Sequence, residues 1–107
     1  MSTEAELDAA IDESMTRDVW FFKHSTRCGV SDAALREFEV FVAERQAAGE
    51  TGFHLIEVPE NRPVSSALSG RVQVRHQSPQ AILVREGSAV WHASHWEITR
   101  GELSKVE

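Results

Sequence analysis

Val19-Trp20-Phe21-Phe22 sets four large apolar side chains in a row, and a strand of that composition has to be covered on both faces. A chain holding such a strand folds around a central sheet with helices above and below it. The run ends in the polar turn Lys23-His24-Ser25-Thr26-Arg27-Cys28, and a helical pattern begins just beyond it. The only cysteine of the chain therefore stands where a strand meets a helix N-terminus.

The remaining elements follow from periodicity and punctuation. Residues 3–15 read as an amphipathic helix, with Leu7, Ile11 and Met15 on one stripe and Thr3 with Glu6 as a capping box. The central strand is expected over Asp18–Phe22. A second helix is expected from Gly29 to Ala47, with Ala34, Phe38, Phe41, Val42 and Arg45 along its inner stripe and rim and Gly49 as its stop. Phe53–Val58 is the next strand, closed by Pro59. Pro63 suits the first turn of a short helix that buries Val64, Ala67 and Leu68 and ends before Gly70. Gln80–Arg85 and Ala89–His92 are strands joined by Glu86-Gly87-Ser88, and Thr99-Arg100-Gly101-Glu102 caps a last helix on Leu103 and Val106.

The order α-β-α-β-α-β-β-α combines a parallel pair with an antiparallel hairpin. This is a thioredoxin-like α/β arrangement, a mixed central sheet with helices on both faces. No strand is legible before residue 7 to serve as its first edge strand. The 107 residues are expected to form one domain. A formal charge of −6 argues against generic nucleic-acid or anionic-membrane binding. No stretch approaches the ~18 apolar residues of a membrane span, the acidic N-terminus lacks the regions of a secretory signal, and one cysteine suits a reducing cytoplasm.

A helix start favours thiolate over thiol, through exposed N–H groups and the helix dipole. Lys23 and Arg27 push the same way; Asp32 in the first turn opposes them. Against the nucleophile stands the commoner fate of a single cysteine, an inert small hydrophobe in the core. The residues alone leave both open. Ser31, three residues on, occupies the place of a resolving cysteine; it donates to the sulfur, satisfies a backbone N–H as an N-terminal helix serine, or does both.

Two segments carry a family likeness. Lys23-His24-Ser25-Thr26-Arg27-Cys28-Gly29-Val30-Ser31, and Ser78-Pro79-Gln80-Ala81-Ile82-Leu83-Val84 followed by Ala89-Val90-Trp91-His92-Ala93-Ser94-His95-Trp96, resemble the monothiol bacilliredoxins. These are thioredoxin-like general stress proteins of the bacillithiol system. The likeness includes Glu60-Asn61-Arg62-Pro63-Val64-Ser65 and runs over nearly the whole chain. One departure is Gly29, where family members mostly carry proline; glycine loosens the first helical turn.

The resemblance implies a cytoplasmic monothiol disulfide oxidoreductase that removes bacillithiol, or a similar small thiol, from protein mixed disulfides through Cys28. Ser31, Arg27 and Lys23 would stabilise its thiolate. Ser78-Pro79 would be a cis peptide facing the cysteine, and Thr26, Ser78, Pro79, Arg75, His95 and Trp96 would line the substrate. Arg75, Arg27 or Lys23 would meet the carboxylates of the small thiol, although a solvated loop arginine is the commoner role. No tightly bound cofactor and no metal are expected. His92 and His95, three apart on a strand, point to opposite faces and make poor partners for one ion. The partners expected are S-thiolated client proteins and the small thiol as co-substrate. Two other classes stay open: a redox-responsive storage or binding protein thiolated at Cys28, and an iron–sulfur or metal carrier of the monothiol glutaredoxin kind.

Overall fold

A computed structural model describes residues 1–27, 29–46 and 51–106. Cys28 and Gly49 lie outside them. In chain order the elements are α1 (Glu4–Glu13), β1 (Val19–Ser25), α2 (Gly29–Gln46), β2 (Gly52–Val58), α3 (Arg62–Val72), β3 (Gln80–Arg85), β4 (Ser88–Ser94), a 3-10 turn (His95–Glu97) and α4 (Arg100–Val106). The expected order is present, with the 3-10 turn added.

Four strands form one sheet in the order β2-β1-β3-β4. β1 pairs parallel with β2, from Val19 opposite Gly52 to Ser25 opposite Val58, and antiparallel with β3, from Val19 opposite Val84 to Lys23 opposite Gln80. All four residues of the apolar run are fully buried. Alternation sends Val19 and Phe21 toward α1 and α3, among Leu7, Val64 and Leu68, and Trp20 and Phe22 toward α2 and α4, among Phe38, Phe41 and Leu103. The second layer is aromatic: Phe22 and Phe38 have ring centroids 4.9 Å apart, and Trp20 meets Phe41 edge-on at 5.3 Å.

Several boundaries differ from expectation for identifiable reasons. β1 continues to Ser25 and β4 to Ser94, because partner strands satisfy their backbone groups whatever the polarity of the side chains. α3 runs through Gly70 to Val72 and is capped by Gln73, which takes the left-handed conformation at φ 56° and donates its N–H to the Ser69 carbonyl. The extra turn buries Val72. α1 stops at Glu13, so Met15 falls off its stripe and is 60% exposed. Ser14 instead receives the β3–β4 turn: its carbonyl accepts from the Glu86 N–H at 2.8 Å and its hydroxyl from the Gly87 N–H at 3.0 Å. Both central residues of that hairpin turn have positive φ, as a two-residue primed turn requires. No described helix is long and apolar enough to cross a membrane.

Candidate functional site

The C-terminal ends of β1 and β2, the first turn of α2 and the loop before β3 converge at one end of the sheet. The β1–α2 turn leaves the sheet after Ser25, and α2 opens at Gly29, the residue after Cys28. Thr26 stays tied to β2: its N–H donates to the Val58 carbonyl at 3.0 Å, and its hydroxyl reaches Glu60 at 2.8 Å. Arg27 is exposed in the turn.

Ser31 is fully buried at the start of α2. Its hydroxyl oxygen accepts the Ser25 N–H at 2.8 Å and lies 2.8 Å from His24 Nδ1. The far side of that ring turns to Asp32, with Nε2 3.7 Å from Oδ1. The β1–α2 turn is thus closed by a serine that binds both strand and histidine. The bond from the Ser25 N–H is the backbone role expected of an N-terminal helix serine, and the contact with His24 is the one not foreseen. His24 was the residue missed. Alternation along β1 carries the signal, since His24 shares the α2 face with Trp20 and Phe22.

That alternation also decides the surroundings of Lys23. Its side chain enters the opposite layer, beneath α3, and not the face on which α2 packs. Its ammonium donates to Ser69 Oγ at 2.6 Å and lies 3.1 Å from His76 Nδ1. Lys23 is fully buried, and desolvation pushes its pKa down to about 8. His76 is lowered too, by burial first and then by the charges of Lys23 and Arg62. Lys23 therefore ties the loop before β3 to α3.

The Ser78–Pro79 peptide is cis, the geometry that the resemblance implied; Val58–Pro59 is cis as well, which nothing in the sequence had suggested. The Pro79 carbonyl accepts the His95 N–H at 3.2 Å, so the 3-10 turn sits directly against the proline loop. His95 holds φ 54° there, and Trp96 is 72% exposed. A groove of ≈ 460 Å³ runs between this turn and the first half of α2, lined by Ala33, Ala34, Arg36, Glu37, Val40, His95, Trp96, Ile98 and Thr99. Ser78 Oγ is buried with no hydrogen-bond partner among the described residues. Arg75 is exposed in the same loop, and its carbonyl accepts from Gln80 Nε2 at 3.0 Å. Of the sequence-named residues, Ser78, Pro79, His95 and Trp96 are brought together, Ser31 joins His24 at the β1–α2 turn, and Lys23 is directed elsewhere. The described residues contain no group of three or more His, Cys, Asp or Glu side chains placed to hold a metal ion.

The family model for the monothiol bacilliredoxin BrxC matches residues 1–103. This chain belongs to that family. Among solved structures, one assigned provisionally as an oxidoreductase with a thioredoxin fold is 30% identical, superposes with a TM-score of 0.84, and shares 98% of this chain and 88% of its own. Fasciola hepatica thioredoxin, at 19% identity, gives 0.77 over 98% of this chain and 91% of its own. Malassezia sympodialis thioredoxin, at 17%, gives 0.74 over 99% and 84%. The fold is thioredoxin-like, and bacilliredoxin membership with this fold supports a thiol redox function.

Proposed function

We propose that this bacilliredoxin is a monothiol disulfide oxidoreductase that clears bacillithiol, or a similar small thiol, from client proteins. The observation that carries the reading is the family match over residues 1–103 in a chain whose sole cysteine is Cys28. One cysteine admits no internal disulfide, so the intermediate has to be cleared by a thiol from outside.

The Cys28 thiolate attacks the small-thiol sulfur of a client mixed disulfide. A new S–S bond joins Cys28 to the small thiol, the old S–S bond breaks, and the client cysteine leaves as a thiolate that takes a proton from solvent. A second small thiol, as its thiolate, then attacks the sulfur bound to Cys28, releasing a symmetric small-thiol disulfide and regenerating the enzyme. No net oxidation occurs in the first step; the second small thiol is the reductant of the cycle.

The proline loop suits an extended client segment, with the backbone of Ser78 offered for pairing as in strand addition. Trp96 and His95 would wall that segment, Thr26 would border it from the β1–α2 turn, and Arg75 or Arg27 would attract small-thiol carboxylates. Arg27 would also favour the thiolate by its charge.

The test is mass spectrometry of the full chain exposed to oxidised bacillithiol and to a bacillithiolated client. A single adduct on Cys28 that free bacillithiol removes, with client thiol released, is expected. Cys28→Ser is expected to abolish release. Unchanged release by that variant, or failure of any small thiol to form or clear an adduct, refutes the reading.

A further inference from the structure

The Lys23 ammonium can only donate, so the nitrogen it meets at 3.1 Å, His76 Nδ1, bears a lone pair. The neutral His76 ring therefore carries its proton on Nε2. Ser65 Oγ lies 3.3 Å from the same Nδ1, and Ser69 Oγ takes a second ammonium hydrogen at 2.6 Å. Lys23 and Ser65 are fully buried, whereas His76 is exposed on the loop between α3 and β3. A buried strand residue is thus bonded to a ring with water beside it. Lys23 stays charged through the neutral and acid range, its pKa being about 8. A second proton on His76 sets donor against donor and cation against cation, 3.1 Å apart.

We infer that the Lys23–His76 contact is a proton-operated latch on the loop between α3 and β3, shut while His76 is neutral and released when it is protonated. The histidine is the part that moves, because strand pairing fixes Lys23 on both sides, opposite Ile56 on β2 and Gln80 on β3. Among the described residues no carboxylate is paired with His76 to compensate the extra charge. On α3 the facing groups are Arg62, itself cationic, and the neutral hydroxyls of Ser65 and Ser69. β2 presents Ile56 and Val58 to this layer, β3 presents neutral Gln80, and Asp8 of α1 is paired with Arg71. Arg75 is the other charge in the loop itself. Burial first, then Lys23 and Arg62, hold the His76 pKa below its ordinary value, so the latch is shut at neutral pH. The loop leads directly to Ser78 and Pro79, whose carbonyl accepts from His95. Release in acid loosens the platform for client segments, a consequence that rests on the proposed role of the proline loop; the latch itself does not.

The experiment is NMR of the full chain, as wild type, His76→Gln and Lys23→Met, titrated from about pH 8 to about pH 5, either side of the ~6.5 of a free histidine. It reads the ring nitrogens of His76 and the protection of loop amides against hydrogen exchange, corrected for the intrinsic pH dependence of exchange. The Val74 N–H, bonded to the Ser69 carbonyl at 3.2 Å, marks the start of the loop. The Gln80 side-chain amide, bonded to the Arg75 carbonyl at 3.0 Å, marks its end. Wild type is expected to show Nε2–H on the neutral ring and to lose protection at both markers in step with His76 protonation. Glutamine keeps an acceptor for Lys23 and does not titrate, so His76→Gln is expected to hold its protection across the range. Lys23→Met is expected to raise the His76 pKa, one of its two cationic neighbours being gone, and to abolish the step. Nδ1–H on the neutral ring, full protection after His76 is protonated, a step that survives in His76→Gln, or an unchanged His76 pKa in Lys23→Met overturns the inference. Mixed-disulfide release assayed on the same wild-type sample separates the two claims. The step without release leaves the latch standing and removes the function; release without the step does the reverse.

Discussion

The ammonium of Lys23 donates to the hydroxyl of Ser69 at 2.6 Å, joining the end of β1 to the last turn of α3 beneath the loop that carries Pro79. The same ammonium meets His76 in that loop, so a buried cation braces two elements with neutral partners.

A buried cation without a carboxylate costs stability, and the sign can be read from its titration. The folded pKa of Lys23, about 8, lies below the ~10.4 of a solvated lysine. Between those values the unfolded chain binds more protons, so stability rises with pH across that window and the full penalty stands below it. The lowered His76 acts in the same sense: its contribution is complete above the ~6.5 of a free histidine and is lost as pH falls through the folded value. Lys23→Met is expected to raise Tm at pH 7, with the difference shrinking toward ~pH 10.4. Thermal melts across this range check it; a less stable variant at neutral pH, or a pH-independent gap, contradicts it.

Ser31→Ala is expected to cost about 1–3 kcal/mol in denaturant melts, because the Ser25 N–H loses its acceptor inside the β1–α2 turn. Ser31→Cys is expected instead to turn the monothiol into a dithiol with Cys28. A titration finding no free thiol after oxidation would bear this out; two persistent free thiols would not.

Trp96 stands 72% exposed beside the Pro79–His95 contact. Trp96→Ala is expected to leave melts within about 0.5 kcal/mol of wild type, as surface substitutions do. It should raise the KM for a bacillithiolated client several-fold while iodoacetamide alkylation of Cys28 is unchanged. Equal KM values in the two proteins would remove Trp96 from the client surface.

Phe38 packs between Phe22 and Trp20 at centroid distances of 4.9 and 6.3 Å and is nearly fully buried. Phe38→Ala is expected to cost about 3–5 kcal/mol, and Phe38→Leu markedly less because most of the cavity is refilled. Equilibrium unfolding gives both values, and equal losses would mean that the aromatic layer is not packed around this ring.

Much of this molecule was legible in one dimension. Val19–Phe22 demanded cover on both faces, Thr3 with Glu6 marked a helix start, and Glu86-Gly87 marked a hairpin, because each is a local rule of backbone and period. Cys28 before a helix start, Ser31 after it and Ser78-Pro79 before a strand were legible as motifs. The partners were not. Lys23 and His24 are neighbours in the chain, and both read as polar turn residues until β2 and β3 extended the ladder past Phe22. Strand alternation then sent the lysine under α3 to Ser69 and His76, and the histidine against α2 to Ser31. Which layer lies on which face is decided by how the helices pack, and only that packing separates a brace under α3 from a group against α2.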